Sequence, residues 1–357
     1  MDKTIILTLT ETCNLHCVYC YQKHKTEKKM SLQTALDSIY KHGMNLQGFD
    51  GIIIDLFGGE PFLEFSLIQD ICKWLKSQEF NYPHKISINT NGTLVHGKIQ
   101  DWLIKNKNIY VGLSLDGRPE THNANRCNSF DLIDTEFFIK HYPNSPVRAT
   151  INRDTIASLS SDIIYMQELG FKVTASLALG IDWGGDDIIS ILQRELKILS
   201  DYYLSTPHME PCSIFKPNLS SIYFKRETKW CGTHSHMVSI DTEGNDYPCQ
   251  SFQPNSAGAN ENYKNIDFNS IERWSDPECD NCIIDNLCPT CYGLNFNQSG
   301  SMLKRDKSIC NIRKSLALAN SYFIAKKIEC GSLSLSPMDT VLTIRAIKEI
   351  QREFKNL

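Results

Sequence analysis

Three cysteines near the start of this 357-residue chain, Cys13, Cys17 and Cys20, stand in the run CNLHCVYC. The spacing is C-x3-C-x2-C, directly after the apolar segment TIILTL. Three thiolates on one short loop hold three irons of a cubane iron–sulfur cluster and leave the fourth iron without a protein ligand; a closed structural metal site uses four ligands. An iron with a vacant position takes an exogenous ligand, so the spacing points to chemistry. A zinc loop or scattered thiols is the plain alternative. A second, denser array lies downstream at Cys231, Cys249, Cys279, Cys282, Cys288, Cys291 and Cys310. Its segment CDNCIIDNLCPTC, taken alone, fits a pair of zinc knuckles nearly as well as it fits clusters.

Composition sets the bounds. The length suffices for two domains with real cores, and 41% hydrophobic with 22% charged residues is ordinary for a soluble globular protein. A net charge of −4 offers no bulk basic field for nucleic acid. No apolar run is long enough for a membrane span. The start, MDKTIILTLTETC, has too short an apolar core and no small-residue cleavage site for a signal peptide, which places the protein in the cytoplasm. In a reducing compartment, metal or cluster ligation is the leading use of fourteen cysteines.

The elements that must position these thiols read as alternating strands and helices. Candidate strands are 5–9, 52–57, 85–90, 110–115, 147–152 and 173–178, and amphipathic stretches lie between them at 32–43, 67–76, 98–105, 135–141 and 161–169. Parallel β–α units follow. In a parallel barrel the functional groups sit at the C-terminal ends of strands. The first cysteine loop, Gly58-Gly59-Glu60-Pro61, Asn91-Gly92 and Asp116-Gly117 each follow a candidate strand, so four polar or Gly-rich loops share one rim. A further helix, 188–204, closes this half. Helical patterns then become scarce and cysteines dense, which sets a boundary near 205–212. Helices return at 311–327 and 337–354, around a hinge-like GSLSLS. The expected segments are 1–205, 206–310 and 311–357.

CNLHCVYC after a strand resembles the radical S-adenosylmethionine (radical SAM) enzymes, and GGEP after the second strand, IIIDLF, lies where that family has it. The resemblance implies a partial (β/α)6 TIM-type barrel, a [4Fe-4S] cluster on Cys13, Cys17 and Cys20, and S-adenosyl-L-methionine chelating the open iron. Reductive cleavage then gives methionine and a 5′-deoxyadenosyl radical. Gly58 and Gly59 let the backbone approach the ligand, and Glu60 supports the loop or receives the SAM ammonium. Tyr19 matches the aromatic position beside the adenine. Ser114, in SLDG, and Arg126 match residues that contact the SAM carboxylate and ribose in related maturases; the alternative for Arg126 is a surface ion pair.

The C-terminal array, with Gly244 four residues before Cys249, resembles the SPASM extension of radical SAM peptide-modifying enzymes. That resemblance implies two auxiliary [4Fe-4S] clusters, three in all. Cys279, Cys282, Cys288 and Cys310 fall to the outer cluster, and Cys231, Cys249 and Cys291 to the inner one. One spacing departs: two residues, not three, separate Cys288 and Cys291. No cysteine lies just upstream of Cys231, where the chain reads FKRETKW, and Cys212 is the nearest candidate for a fourth inner ligand. Three ligands would leave the inner cluster an open iron able to take a substrate thiolate.

SPASM-type enzymes mostly modify peptides or proteins. One branch installs thioether or carbon–carbon crosslinks in ribosomally made peptides, and another, the anaerobic sulfatase maturases, oxidises Cys or Ser to formylglycine. The latter carry an Asp directly after the cysteine of the YPC segment, whereas here the order is Tyr247-Pro248-Cys249-Gln250. A carboxamide takes no proton near neutral pH. Asp241, Glu243 and Asp246 lie nearby but not at the matching place. The favoured expectation is a peptide maturase with a Cys-containing precursor as substrate and a flavodoxin or ferredoxin as reductant; neither nucleic acid nor membrane is an expected partner. The first strand begins by residue 4, so no leader-binding winged helix is expected ahead of the barrel, leaving the leader to a separate protein or the 311–357 tail. His16, His24, His234 and His236 read as surface or supporting histidines. Cys72 reads as core packing, and Cys127 and Cys330 as free thiols. A zinc-binding adaptor without catalysis is the non-enzymatic alternative.

Overall fold

The computed structural model describes every residue except 45, 47, 79, 81, 186, 225–228 and 258–260. Six strands follow one another through its first half: β1 (Lys3–Thr10), β2 (Ile52–Gly58), β3 (His84–Thr90), β4 (Ile109–Leu113), β5 (Val147–Ile151) and β6 (Val173–Leu177). The first four pair in parallel in chain order, and so do β5 and β6. Between these groups, Leu115 N–H donates to Arg148 O at 3.1 Å and Ser114 bridges Arg148 in parallel. The result is a curved, incomplete α/β barrel.

Local chemistry explains the elements. β1 is buried along nearly its whole length, as a two-sided parallel strand rich in Ile, Leu and Thr must be. The helices α1 (Leu32–Gly43), α2 (Phe65–Ser77), α3 (Lys98–Lys105), α4 (Pro119–Asn125), α5 (Thr135–His141), α6 (Leu159–Glu168) and α7 (Ile188–Ser205) complete the β–α units. Ser31 caps α1 by accepting from Thr34 N–H, and Asp134 caps α5 by accepting from Phe137 N–H. Ile5, Leu7, Ile54, Ile68, Ile71 and Leu103 belong to the main core between sheet and helices. Cys72 belongs to it too, as expected of an apolar helix position.

The second half depends less on regular structure. It contains β7 (Met237–Ile240), β8 (Asp246–Tyr247), the single turn α8 (Pro254–Ala257), α9 (Tyr292–Ser299), α10 (Cys310–Glu329) and α11 (Pro337–Glu353). An aromatic cluster including Tyr247, Phe252, Tyr263, Phe268, Tyr292 and Phe296 fills its interior. The expected boundary falls just after α7, yet the sheet runs across it: β7 pairs in parallel with β1, and β8 runs antiparallel to β7. α10 packs on α7, and α11 covers α10 through Ala346, Ile347 and Ile350. The GSLSLS stretch is the irregular link between them, and its last residue, Ser336, caps α11 by accepting from Asp339 N–H. The sequence patterns missed α4, α8, α9, β7 and β8, all short elements.

Candidate active site

The segments after β1 to β4 meet at one cavity of about 400 Å³ at the barrel mouth, the last through Ser114 in place of Asp116-Gly117. Its wall takes Cys13, Cys17, Tyr19 and Cys20 from the loop after β1, Gly58, Gly59 and Glu60 after β2, Asn91 after β3 and Ser114 after β4. The volume lies within the usual range for a cofactor site. The GGEP turn is docked on the thiol loop: Gly59 N–H donates to Thr10 O at 2.9 Å and Glu60 N–H to Thr12 O at 3.0 Å. A Cβ on Gly59 would lie 2.2 Å from Thr12 O, so only glycine permits this approach.

Glu60, 1% exposed, supports its own loop. Its carboxylate accepts from Thr90 Oγ1 at 2.7 Å, Asn91 N–H at 2.8 Å and Phe62 N–H at 3.2 Å. Burial pushes its pKa up to about 7 against these three hydrogen bonds, which favour the charged form. Asn91 in turn donates to Asn14 Oδ1 at 2.9 Å, within the thiol loop, and its Nδ2 reaches to 4.0 Å from Cys13 Sγ.

Arg126 is not a surface ion pair. It is 7% exposed and faces the 5%-exposed Asp116, with Nε–Oδ2 and Nη2–Oδ1 both at 3.0 Å. Its fork is therefore spent on an internal carboxylate. Nη1 remains, 4.0 Å from Cys17 Sγ, and the guanidinium lies 5.4 Å from the Tyr19 ring centroid. Asp116 also accepts from Tyr19 Oη, Asn125 Nδ2 and Thr150 N–H. This hub was not singled out in the sequence; SLDG marked the turn but could not show that its Asp faces inward.

The thiols stand in water-poor surroundings. Burial raises the pKa of Cys13, and it pushes Cys17 up to about 11, with Arg126 opposing. Coordination releases such protons, because the ligand is the thiolate. The donor set of three thiols on one loop, with a peptide N–H (Leu15) 3.4 Å from Cys13 Sγ, has the chemistry of iron–sulfur ligation. Cys127 lies beside this loop, accepting from His16 N–H at 3.3 Å.

The downstream cysteines gather around two neighbouring places that share Cys291. Cys279, Cys282, Cys288 and Cys310 line one small cavity of about 70 Å³. Arg305, Arg313 and Lys314 line it too, and Lys307 Nζ lies 3.4 Å from Cys279 Sγ. Arg305 Nε and Arg313 Nε are buried donors without a protein acceptor, which suits an anionic cluster in that cavity. Cys231, Cys249 and Cys291 are mutual electrostatic neighbours, and burial pushes Cys249 up to about 12. Cys212 is not with them: it is buried in the barrel core, where its N–H donates to Tyr203 Oη at 3.1 Å. Part of FKRETKW, residues 225–228, lies outside the described residues. Among the described residues no three His, Cys, Asp or Glu side chains gather as a single-ion site. His234 stacks on Phe268 at 4.1 Å, and His236 contacts Ser235 Oγ.

Cys291 lines both cavities, and Gln250 and Ser251 join the wall of the larger one. Tyr21, missed in the sequence, fills the space between: its electrostatic neighbours are Cys20, Cys249 and Cys291, and it meets the Gln250 amide. Its only sequence signal was adjacency to Cys20.

Residues 7–134 match the family model of the radical SAM superfamily, so the chain carries a radical SAM domain and is an enzyme of that class, which uses a [4Fe-4S] cluster and SAM. It is 23% identical over 349 residues to the radical SAM cyclopropyl synthase TigE of Paramaledivibacter caminithermalis, covering 88% of this chain and 73% of that protein. It is 29% identical over 189 residues to a cysteine-type anaerobic sulfatase-maturating enzyme of Clostridium perfringens, covering 47% and 49%. Its fold matches that of native anSMEcpe with bound AdoMet and Cp18Cys peptide, with a TM-score of 0.69, 20% identity, and coverage of 92% and 99%. Among the described residues no helix is long and apolar enough to cross a membrane.

Proposed function

We propose that this radical SAM enzyme is a peptide maturase that forms a thioether or other crosslink in a ribosomally made, Cys-containing peptide. The observation that carries the reading is the wall of the larger cavity, where Cys291 of the auxiliary array stands opposite the three-thiol loop. A peptide there would meet both sets of thiols. TigE, a cyclopropyl synthase, and a peptide-bound neighbour of the same fold agree with a substrate of this kind.

Cys13, Cys17 and Cys20 would hold the [4Fe-4S] cluster, which with SAM on its open iron supplies the 5′-deoxyadenosyl radical. Arg126 Nη1, Ser114 and the Tyr19 ring line the space where SAM would lie, and Asp116 fixes the first and third of these. Gly59 lets the second loop close against the first, and Glu60 holds it there. Cys279, Cys282, Cys288 and Cys310 would hold the outer auxiliary cluster. Cys231, Cys249 and Cys291 would hold the inner one, with a position left for a substrate thiolate, since Cys212 is committed to the barrel core. A flavodoxin or ferredoxin is the proposed electron source.

Likeness to a sulfatase-maturating enzyme favours formylglycine formation as a second reading. Its proton acceptor is missing. Gln250 occupies the matching place, and Glu60 is the one carboxylate among the described residues lining the cavity. Asp241 is consumed by its own turn, Glu243 pairs with Lys28, and Asp246 pairs with Lys41 and His42.

Anaerobically reconstituted protein, reduced with dithionite, should bind roughly twelve irons and release 5′-deoxyadenosine from SAM. Co-expression with the peptide of a neighbouring reading frame should lower that peptide's mass by about 2 Da per bond, two hydrogens being lost as each crosslink forms. Zinc in place of iron, or no 5′-deoxyadenosine, would refute the reading. Formylglycine in a co-expressed sulfatase would replace it with the second.

A further inference from the structure

A groove of about 560 Å³ runs beside β6, and Ser176, Leu177 and Leu179 line both it and the larger cavity. β6 pairs only with β5 among the described residues; the 213–215 turn packs along part of its other edge and no strand covers the rest. In a parallel ladder the backbone groups of alternate residues face opposite neighbours. Val147 N–H donates to Lys172 O and Ala178 N–H to Ile151 O, which turns Thr174 and Ser176 toward β5 and Val173, Ala175 and Leu177 outward. A side chain already latches one outward residue: Ala175 N–H donates to Ser213 Oγ at 2.9 Å, and Ser213 Oγ donates to Ala175 O at 2.8 Å. The next outward groups, those of Leu177, lie where groove and cavity meet.

The opposite wall, on α10, carries a matching deficit. Asn320 is 1% exposed; its Nδ2 donates to Ile214 O and Leu316 O, both at 2.8 Å, while Oδ1 is buried without a donor. A buried acceptor left without a donor keeps its full desolvation penalty, which a ligand N–H removes. Lys216 and Arg313 line the groove, and no carboxylate does among the described residues.

We propose that this groove docks the substrate peptide as an added strand on the outer edge of β6. The peptide pairs with Leu177, offers an N–H to Asn320 Oδ1, and passes Ser176 and Leu179 into the larger cavity. Main-chain pairing of this kind supplies affinity with little demand on sequence, and the groove's charge selects neutral or acidic side chains over basic ones. The inference rests on the peptide-maturase reading.

The test uses a pool of random 12-residue peptides, each with one cysteine, applied to the reconstituted full chain with SAM. Retained peptides are counted by mass spectrometry. The wild-type chain should enrich peptides poor in Lys and Arg, and hydrogen exchange at the Leu177 amide should slow on peptide addition. Asn320→Leu and Ser221→Trp, the second of which obstructs the groove, should each retain at least ten-fold less peptide, with melting curves reporting that both fold. Equal retention by both variants, no retention by wild type, or unchanged exchange at Leu177 would overturn the groove. Release of 5′-deoxyadenosine by wild type is measured in parallel; its absence sinks the enzyme reading, whereas equal retention alongside normal release sinks only the groove.

Discussion

The three-thiol loop and the four-thiol cavity use the same ligand in opposite surroundings. Around Cys13, Cys17 and Cys20 the nearest guanidinium, Arg126, is neutralised by Asp116, and Glu60 adds a buried carboxyl group. Around Cys279, Cys282, Cys288 and Cys310 stand Arg305 and Lys307, paired with Asp285 and Asp276, and Arg313 and Lys314, which have no carboxylate partner among the described residues; Arg305 Nε and Arg313 Nε also lack a protein acceptor. A cluster gains negative charge on reduction, so the uncompensated Arg313 and Lys314 would favour the reduced form of a cluster there more than a neutralised pair such as Arg126–Asp116 would. On the proposed ligand sets, the first region would give an electron away and keep a coordination position open. On the same sets, the second would be closed by a fourth thiol and would accept.

Removing the thiols of the first region alone is the hardest test of that division. Cys13→Ala/Cys17→Ala/Cys20→Ala should abolish 5′-deoxyadenosine release and lower bound iron by about four atoms, leaving the other clusters' spectra in place. Loss of all iron would break the comparison by showing one cooperative metal unit.

Asp116→Asn asks whether the first region depends on its neutralised pair. Removing one partner of a buried ion pair costs about 3–5 kcal/mol, so the melting temperature should fall by several degrees. Chemical denaturation of wild type and variant measures it.

Glu60 sharpens the point through pH. Its folded pKa, about 7, lies above the usual value for a glutamate, so the folded state binds the extra proton. Its contribution is fully present below the unfolded pKa and is lost as pH rises toward and through 7. The wild-type chain should therefore lose roughly 3 kcal/mol relative to Glu60→Gln between pH 4.5 and 8, and the variant's profile should be flatter over that window. Urea titrations across that window read the difference.

The smallest effect concerns the second region. Arg313→Met or Lys314→Met should lower the outer cluster's potential by roughly 50 mV, which for one electron is about 1 kcal/mol. Redox titration followed by electron paramagnetic resonance measures it. Equal shifts at the first cluster would show that the cations act at long range and erase the contrast.

Much of this molecule was legible in the linear chain because its signals are local. The six barrel strands needed only apolar runs with turn residues after them, and the rim loops followed from strand order. CNLHCVYC and GGEP carry their chemistry within a few residues. What the sequence by itself determined was therefore the barrel and the thiol loop at its rim. Only the tertiary structure decided that Arg126 spends its fork on Asp116, that Tyr21 fills the space between the first loop and Cys291, that β7 joins the barrel sheet, and that β6 keeps a partly open edge facing Asn320. Each of these joins residues distant in the chain or turns on which way a side chain faces. Spacing along a chain fixes what a short loop can hold; burial and pairing between distant segments fix what it meets.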